Sequence, residues 1–372
     1  MNNPAPVSGA ALMHSIIKRI ATGPELSKDI SADEARDGMR LILDGKVDPV
    51  QAAIYLIALR MKRETDDENR GVLDALRDVT EGAVAPVDDL LDLADPYDGY
   101  TRSLSPSPFL PALLAACGLP TVAHGIERVG PKYGVTPHQV LRAVGIAVNL
   151  SPAQAAQRLG EPGVGWAYVD QQAFCPKLHR LAGLRALIVK RPLLTTLETC
   201  IGPVRARGRT HLMTGYVHKP YSRVYAMIAR HAGFDSAILV RGVEGGVIPS
   251  LRQTGKFFYY HDRGEEQMQE ITPADFGVDQ SILPVPLPSA SAISNEEGDG
   301  VAGAFDAPAM VRATVEMGLA TLAGRPRPMR DALVAAAAVA LVHLKRHTSL
   351  RAAADAARAM LDNGQAAAHF KR

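Results

Sequence analysis

At Pro86 the hydrophobic pattern of the chain changes period, and that change limits the folds open to it. Before it, apolar residues recur only at helical spacing; after it, short apolar runs alternate with helical stretches. A helix hides one stripe, whereas a strand hides one or both faces, so the two parts need differently built cores. The expectation is an α/β protein with a small N-terminal helical bundle, residues 1–85, and a larger α/β domain, residues 86–372. A chain of 372 residues is long enough for both.

Start signals punctuate the bundle. Met13, Ile16, Ile17 and Ile20 make one apolar stripe. Ser31 with Glu34 and Thr65 with Glu68 are capping boxes, in which the hydroxyl accepts from a free backbone N–H and the carboxylate reaches back to the cap. Asp48 before Pro49 is another start, because proline at the first helical position loses nothing by lacking an N–H. The helix opened by Ser31 should stop at Asp44-Gly45. The next should run from Pro49 to Met61 and bury Ala53, Ile54, Ile57 and Met61, and the third should bury Val72, Leu73 and Leu76.

In the second part Pro120 to Ala123, Trp166 to Val169, His211 to Tyr216, Ala237 to Val240 and Lys256 to His261 read as strands. Thr136-Pro137 with Gln139 and Ser151-Pro152 with Gln154 repeat the cap, proline and capping-box pattern of helix starts. Arg180 to Leu197 reads as helical, and 284–300 as a loop. Helices are expected over 307–322, 328–347 and 350–363. The most apolar run, Leu333 to Leu344, is too short to cross a bilayer core of roughly 30 Å and reads as a buried helix, so no membrane association is expected.

Charge and cysteine content exclude several classes. Forty-one Lys and Arg face 39 Asp and Glu, a net charge of only +2, which gives no global field for nucleic acid. Locally, eight basic residues lie between Lys177 and Arg209 against one acid, Glu198. Three cysteines, Cys117, Cys175 and Cys200, are an odd number without close spacing, and Met1 to Ala11 has no signal-peptide pattern. A reducing, cytoplasmic setting is the expectation.

Several strings in the stretch from about residue 12 to 280 belong together: Ala58 to Thr65 (Ala-Leu-Arg-Met-Lys-Arg-Glu-Thr), Ala115 to Gly118, His124-Gly125, Lys132 to Gly134, Gly145, Leu184-Arg185 and Gly202-Pro203. In order and spacing, apart from a short insertion before Gln139, they resemble the anthranilate phosphoribosyltransferases and their glycosyltransferase family 3 relatives. The resemblance implies a helical domain completed by helices within 177–205, a larger α/β domain, and a substrate cleft between them. It also implies a homodimer through the helical domain. The ligand implied is a pentose phosphate donor, usually with magnesium, whose sugar passes to a nitrogen or phosphate nucleophile.

The motif positions depart from that family. Its Gly-Thr-Gly-Gly-Asp diphosphate cradle corresponds here to Asp95, Pro96, Tyr97, Asp98 and Gly99, and proline has no N–H to offer an anion. Its Asn-x-Ser-Thr becomes Ser105, Pro106, Ser107 and Pro108, and its Lys-His-Gly becomes Ala123-His124-Gly125. Lys132 remains, and Arg185 matches an arginine that grips the acceptor carboxylate. Val247 and Ile248 stand where the magnesium-binding Asp-Glu pair should be, and a hard cation needs oxygen ligands. Glu244 is the one nearby carboxylate, so the resemblance leaves magnesium without its usual pair.

The candidate ligand contacts are therefore Asp95, Tyr97, Asp98, Gly99, Arg102, Ser105, Ser107, His124, Gly125, Lys132, Arg185 and Glu244; no catalytic residue is assigned. Bland readings stand beside them. His124 is also read as a core histidine, Arg185 as an ion-pair member, Lys132 as a solvated loop residue, and Glu244 as a brace of a glycine turn. Two functions compete. One is a transferase-like cleft for a sugar-phosphate or nucleoside-like ligand. The other is a non-catalytic nucleic-acid binder using Lys190, Arg191, Arg205, Arg207 and Arg209, with Arg325, Arg327 and Arg330 elsewhere, as a diverged branch of the family does.

Overall fold

The computed structural model describes residues 9–23, 25–278, 285–287, 306–326 and 328–372. Four helices open the chain: α1 (Gly9–Ile20), α2 (Ala32–Leu43), α3 (Pro49–Lys62) and α4 (Asp66–Asp78). Both capping boxes are closed, with Ser31 accepting from the Glu34 N–H and Thr65 from that of Glu68, and Asp48 caps α3 at Val50. Helix α2 ends at Asp44, and α4 buries Val72, Leu73 and Leu76.

On α3 the expected buried face is wrong. The helix buries Ala52, Tyr55, Leu56, Ala58 and Leu59. Ala53, Ile54 and Ile57 are half-buried and Met61 is 72% exposed. Apolar residues stand on both sides of this helix, so periodicity alone does not choose which one meets the rest of the chain.

Nine strands follow among the described residues: β1 (Ala83–Ala85), β2 (Asp89–Ala94), β3 (Thr121–Gly125), β4 (Trp166–Asp170), β5 (Val204–Ala206), β6 (Arg209–Gly215), β7 (Ser236–Val240), β8 (Gly255–Tyr260) and β9 (Gln267–Ile271). The five expected strands are β3, β4, β6, β7 and β8, within two residues at each end. β1 and β5 pair alone, and the rest form one mixed sheet in the order β4-β3-β2-β6-β7-β8-β9, parallel from β4 to β7 and antiparallel beyond. Helices start at Pro137 and Pro152 as expected, and the C-terminal helices are Ala307–Leu322, Pro328–His343, Leu350–Asp362 and the unexpected short Gln365–Phe370. The loop expected over 284–300 lies almost wholly outside the described residues. Among these no helix is long and apolar enough to cross a membrane, and the apolar run 333–344 is buried up to Leu341.

Strand β2 escaped the sequence reading because its apolar run is interrupted by Asp92. It is nevertheless the middle one of the five parallel strands and buried on both faces. Leu91 and Leu93 join a core with the C-terminal helices, while Leu90 and Ala94 join an unbroken second core with Met13, Leu56 and Leu73 of the bundle. Asp92 is accommodated by a bond from His124 Nε2 at 2.8 Å.

Segment 180–197 is two short helices, Ala182–Ile188 and Leu194–Leu197, parted by Val189 in the left-handed region (φ 65°) and by Pro192. The first packs on α3 and the second on α4. Between them they seat a buried pair: Arg185 Nη1 and Nη2 donate to the two Glu198 oxygens at 2.7 and 2.8 Å, with side chains 1% and 0% exposed. Arg185 is therefore not offered to a ligand carboxylate, contrary to the expectation from the family motif. Glu198→Ala should destabilise the fold by about 3–5 kcal/mol in urea denaturation, because it strands a buried guanidinium. The double variant Arg185→Met, Glu198→Leu should recover much of that loss, and equal losses would refute the pairing argument.

At the opposite end of the sheet, Asp89 accepts from His211 Nε2 at 3.3 Å, the Ser236 hydroxyl bonds His211 Nδ1 at 2.7 Å, and His343 Nε2 bonds Ser236 Oγ at 2.8 Å. His343 stacks on His261 at 4.2 Å. Burial lowers the pKa of His211 and, far more, of His343; Lys345 and the neighbouring imidazoles add to the effect at His343, while Asp89 opposes it at His211. Histidines held neutral in the fold but charged in the unfolded chain contribute stability above about pH 6.5 that is lost as pH falls. Stability should drop between about pH 7 and pH 5, and His343→Gln, which keeps a hydrogen-bonding group without the titration, should flatten that slope.

Candidate functional site

The chain runs from β2 to β3 and β4 on one side of the sheet and returns to β6 and β7 on the other. Order reverses at β2 and β6, and a crevice opens beyond the carboxyl ends of parallel strands at such a point. The segments after β2, β3, β6 and β7 meet there. A cavity of about 150 Å³ lies where Arg60 of α3 faces Pro96, Asp98, Tyr216 and Tyr221. A second, of about 740 Å³, adjoins it and shares Arg191, Tyr216, Val217 and Glu244. Among the described residues six cations line the larger one, Arg102, Lys132, Arg191, Lys219, Arg241 and Lys256, against one carboxylate, Glu244.

An ion network joins the two cavities. Arg191 donates to Asp98 Oδ2 through Nε at 3.1 Å and Nη2 at 2.8 Å, and Lys132 Nζ stands 3.4 Å from Asp98 Oδ1 and 3.7 Å from Glu244 Oε2. Lys256 is paired with Glu270. Among the described residues Arg102, Lys219 and Arg241 form no ion pair, so the larger cavity keeps an excess of positive charge.

Beneath the crevice the segment after β2 is held by its own polar groups. Asp95 accepts from the Tyr100 hydroxyl at 2.9 Å, the Ser107 hydroxyl at 2.5 Å and the Val247 N–H at 3.3 Å, and the Ser105 and Ser107 hydroxyls are bonded at 2.8 Å. Burial pushes the Asp95 carboxyl above its ordinary range despite these donors. His124 Nε2–H donates to Asp92, which leaves Nδ1 to accept the Tyr97 hydroxyl. Gly99 has φ +73°, and a Cβ there would meet the Gly134 backbone at 2.6 Å, so this turn admits only glycine.

Of the expected contacts, then, Asp98, Arg102, Lys132 and Glu244 line the cavities. Asp95, Tyr97, Gly99, Ser105, Ser107, His124 and Gly125 are buried beneath them and shape the walls. Arg185 belongs to the Glu198 pair. The basic segment makes no single face: Arg205 is folded over the Phe234 ring at 3.9 Å, Arg207 pairs with Asp88, Arg209 with Asp262, and Arg191 turns into the cleft, leaving Lys190 exposed. Arg325 is exposed and Arg330 pairs with Asp362, while Arg327 lies outside the described residues. Sequence reasoning missed Arg60, Tyr216, Lys219, Arg241 and Lys256 as cavity residues. Arg241 and Tyr216 directly follow strands β7 and β6, which was the available signal.

Magnesium does not fit the residues present. Val247 and Ile248 are 0% and 5% exposed in an apolar cluster, and among the described residues no group of three His, Cys, Asp or Glu is placed to hold a metal. Glu244 directs both oxygens to protein donors.

Comparison with known proteins follows the same outline. Residues 14–80 match the helical bundle domain of a glycosyl transferase family and residues 106–367 match its a/b domain. The anthranilate phosphoribosyltransferases of Rhodopseudomonas palustris (strain BisB18) and Methylocella silvestris are each 28% identical, over 96% and 97% of this chain and 96% and 94% of theirs. An uncharacterized protein of Aquifex aeolicus is 27% identical over 64% of this chain and 71% of its own length. The fold is similar to that of anthranilate phosphoribosyltransferase from Thermus thermophilus (TM-score 0.72, 19% identity, 96% and 97% of the chains covered). It is also similar to the enzyme from Saccharomyces cerevisiae in complex with PRPP and Mg (TM-score 0.74, 16% identity, 99% and 98% covered). With its bundle, its α/β domain and the crevice at the switch point, the chain belongs to this glycosyl transferase family.

Proposed function

We propose that this family member uses its cleft for a sugar-phosphate or nucleoside-like anion and is not itself an anthranilate phosphoribosyltransferase. The observation that carries the reading is the 740 Å³ cavity with six cations and one carboxylate. Arg102, Lys219 and Arg241 have no ion-pair partner among the described residues, so the cavity keeps a local positive potential that favours an anion. The relatives named anthranilate phosphoribosyltransferase support a phosphorylated pentose as the ligand class. Against their exact activity stand Asp95 and Tyr97 at cradle positions, Val247 and Ile248 at the metal positions, and Arg185 locked to Glu198. Chemistry in such a cleft rests on positioning and on charges that stabilise an oxocarbenium-like centre.

The dimer implied by the helical domain fits the exposed apolar side chains of α3, Val50 (67%) and Met61 (72%). Met61→Asp should shift the protein to monomer in analytical ultracentrifugation, and an unchanged mass would remove this surface from consideration.

Thermal shift with ribose 5-phosphate, in EDTA and in parallel with magnesium, tests the ligand class. Ligand at 100 times its dissociation constant should stabilise the fold by about 2.7 kcal/mol. Lys132→Ala and Arg241→Ala should each weaken binding about ten-fold, a loss near 1.4 kcal/mol. A response indifferent to both substitutions would place the ligand elsewhere, and one that requires magnesium would return the protein to the ordinary family mechanism.

A further inference from the structure

The Glu244 carboxylate occupies a position built for an oxyanion. Its Oε2 accepts from the Thr101 N–H at 3.1 Å and the Thr101 hydroxyl at 3.4 Å, and its Oε1 from the Arg102 N–H at 3.0 Å and the Ser103 hydroxyl at 2.9 Å. Lys132 Nζ stands 3.7 Å from Oε2. Successive backbone N–H groups converging on one anion form a nest, a feature otherwise used to hold phosphate. Here hydroxyls and an ammonium complete it.

The residue that fills this nest is held in an unusual way. Glu244 has φ 51° and ψ 21°, the left-handed region that a non-glycine residue enters at a cost, and it sits between Gly242 and the pair Gly245-Gly246. Gly242 and Gly246 are required by packing, since a Cβ on Gly246 would stand 1.7 Å from the Tyr100 hydroxyl and one on Gly242 would meet the Gly246 carbonyl at the same distance, whereas Gly245 adopts φ +85°. The backbone thus brings one strained acidic residue to the nest, while its side chain, only 3% exposed, borders both cavities. If Glu244 withdrew, the same donors would open onto the cationic cavity.

We propose that Thr101, Arg102, Ser103 and Lys132 form a phosphoryl-binding subsite and that Glu244 is its built-in occupant, so that a phosphorylated ligand reaches these donors only by displacing the carboxylate. The proposal deepens the cleft reading above and rests on it for the identity of the ligand. A phosphate monoester carries about −1.5 to −2 charge and three acceptor oxygens against one charge and two oxygens on Glu244, so it can compete for the nest. Bond making is confined to hydrogen bonds and ion pairs; nothing covalent is exchanged.

The test is calorimetric titration of inorganic phosphate and of ribose 5-phosphate, in EDTA, into the full-length protein and its Glu244→Gly and Glu244→Gln variants. Glycine suits the positive φ, and glutamine keeps the side-chain shape without the charge. Both variants should bind phosphate about ten-fold more tightly than the parent, and adding Lys132→Ala to Glu244→Gly should remove the gain. Folded variants that bind no more tightly would overturn the proposal. So would loss of fold in both, judged by circular dichroism, since the carboxylate would then be a brace the chain cannot release. A parent protein that responds to ribose 5-phosphate without any gain in the variants would overturn the masking alone and leave the cleft reading intact. A gain with inorganic phosphate but no response of any form to ribose 5-phosphate would support the masking and refute the ligand class.

Discussion

Burial of β2 on both faces is the constraint from which the rest of the structure follows. A strand with Leu91 and Leu93 in one core and Leu90 and Ala94 in the other must lie inside the sheet, with a layer on each side. The C-terminal helices cover one face. Bundle helices α1–α4 share the core on the other, so the bundle is tied to the sheet by continuous apolar packing. Because β2 is also where strand order reverses, the segment leaving its carboxyl end enters the crevice directly, carrying Asp95 to Ser107 with it.

That segment buries its own polar groups beneath the crevice. An aspartate in place of a glycine would be costly under a closed sheet unless its oxygens were satisfied. Asp95 meets this condition through Tyr100, Ser107 and the Val247 N–H, and Tyr97 meets it through His124, itself anchored on Asp92. Val247 and Ile248 join the apolar cluster beside them. These buried groups are mutually dependent: Asp95 uses the backbone of Val247, and Tyr97 uses the imidazole of His124. Reverting one position alone would leave buried polar groups without partners.

The cleft combines an apolar lining with an excess of cationic side chains. Asp98 and Glu244 bring Lys132 and Arg191 together at the junction of the two cavities, while Arg102, Lys219 and Arg241 surround the larger one. Like charges held near one another in a partly enclosed space strengthen the pull on an anion, and the acidic pair limits their mutual repulsion. The basic run of the sequence is not the source of this field. Most of its members are spent on local partners, and only Arg191 reaches the crevice.

By itself the sequence determined the elements whose signals are local: the capping boxes at Ser31, Thr65, Thr136 and Ser151, the proline-started helices, five of the strands, and the division between a helical and an α/β part. These depend on backbone donors and side-chain periodicity within a few residues, so neighbours in the chain suffice to specify them. Resemblance added the fold and pointed at the crevice through Asp98, Arg102, Lys132 and Glu244. Only tertiary structure decided which face of α3 is buried, that the interrupted run Asp89–Ala94 is an interior strand in the middle of the parallel part of the sheet, that Arg185 belongs to Glu198, and that Glu244 fills a nest more than 140 residues away in sequence. Each of these outcomes turns on a partner distant along the chain, and the satisfaction of a buried polar group is a property of the folded neighbourhood that no local pattern records.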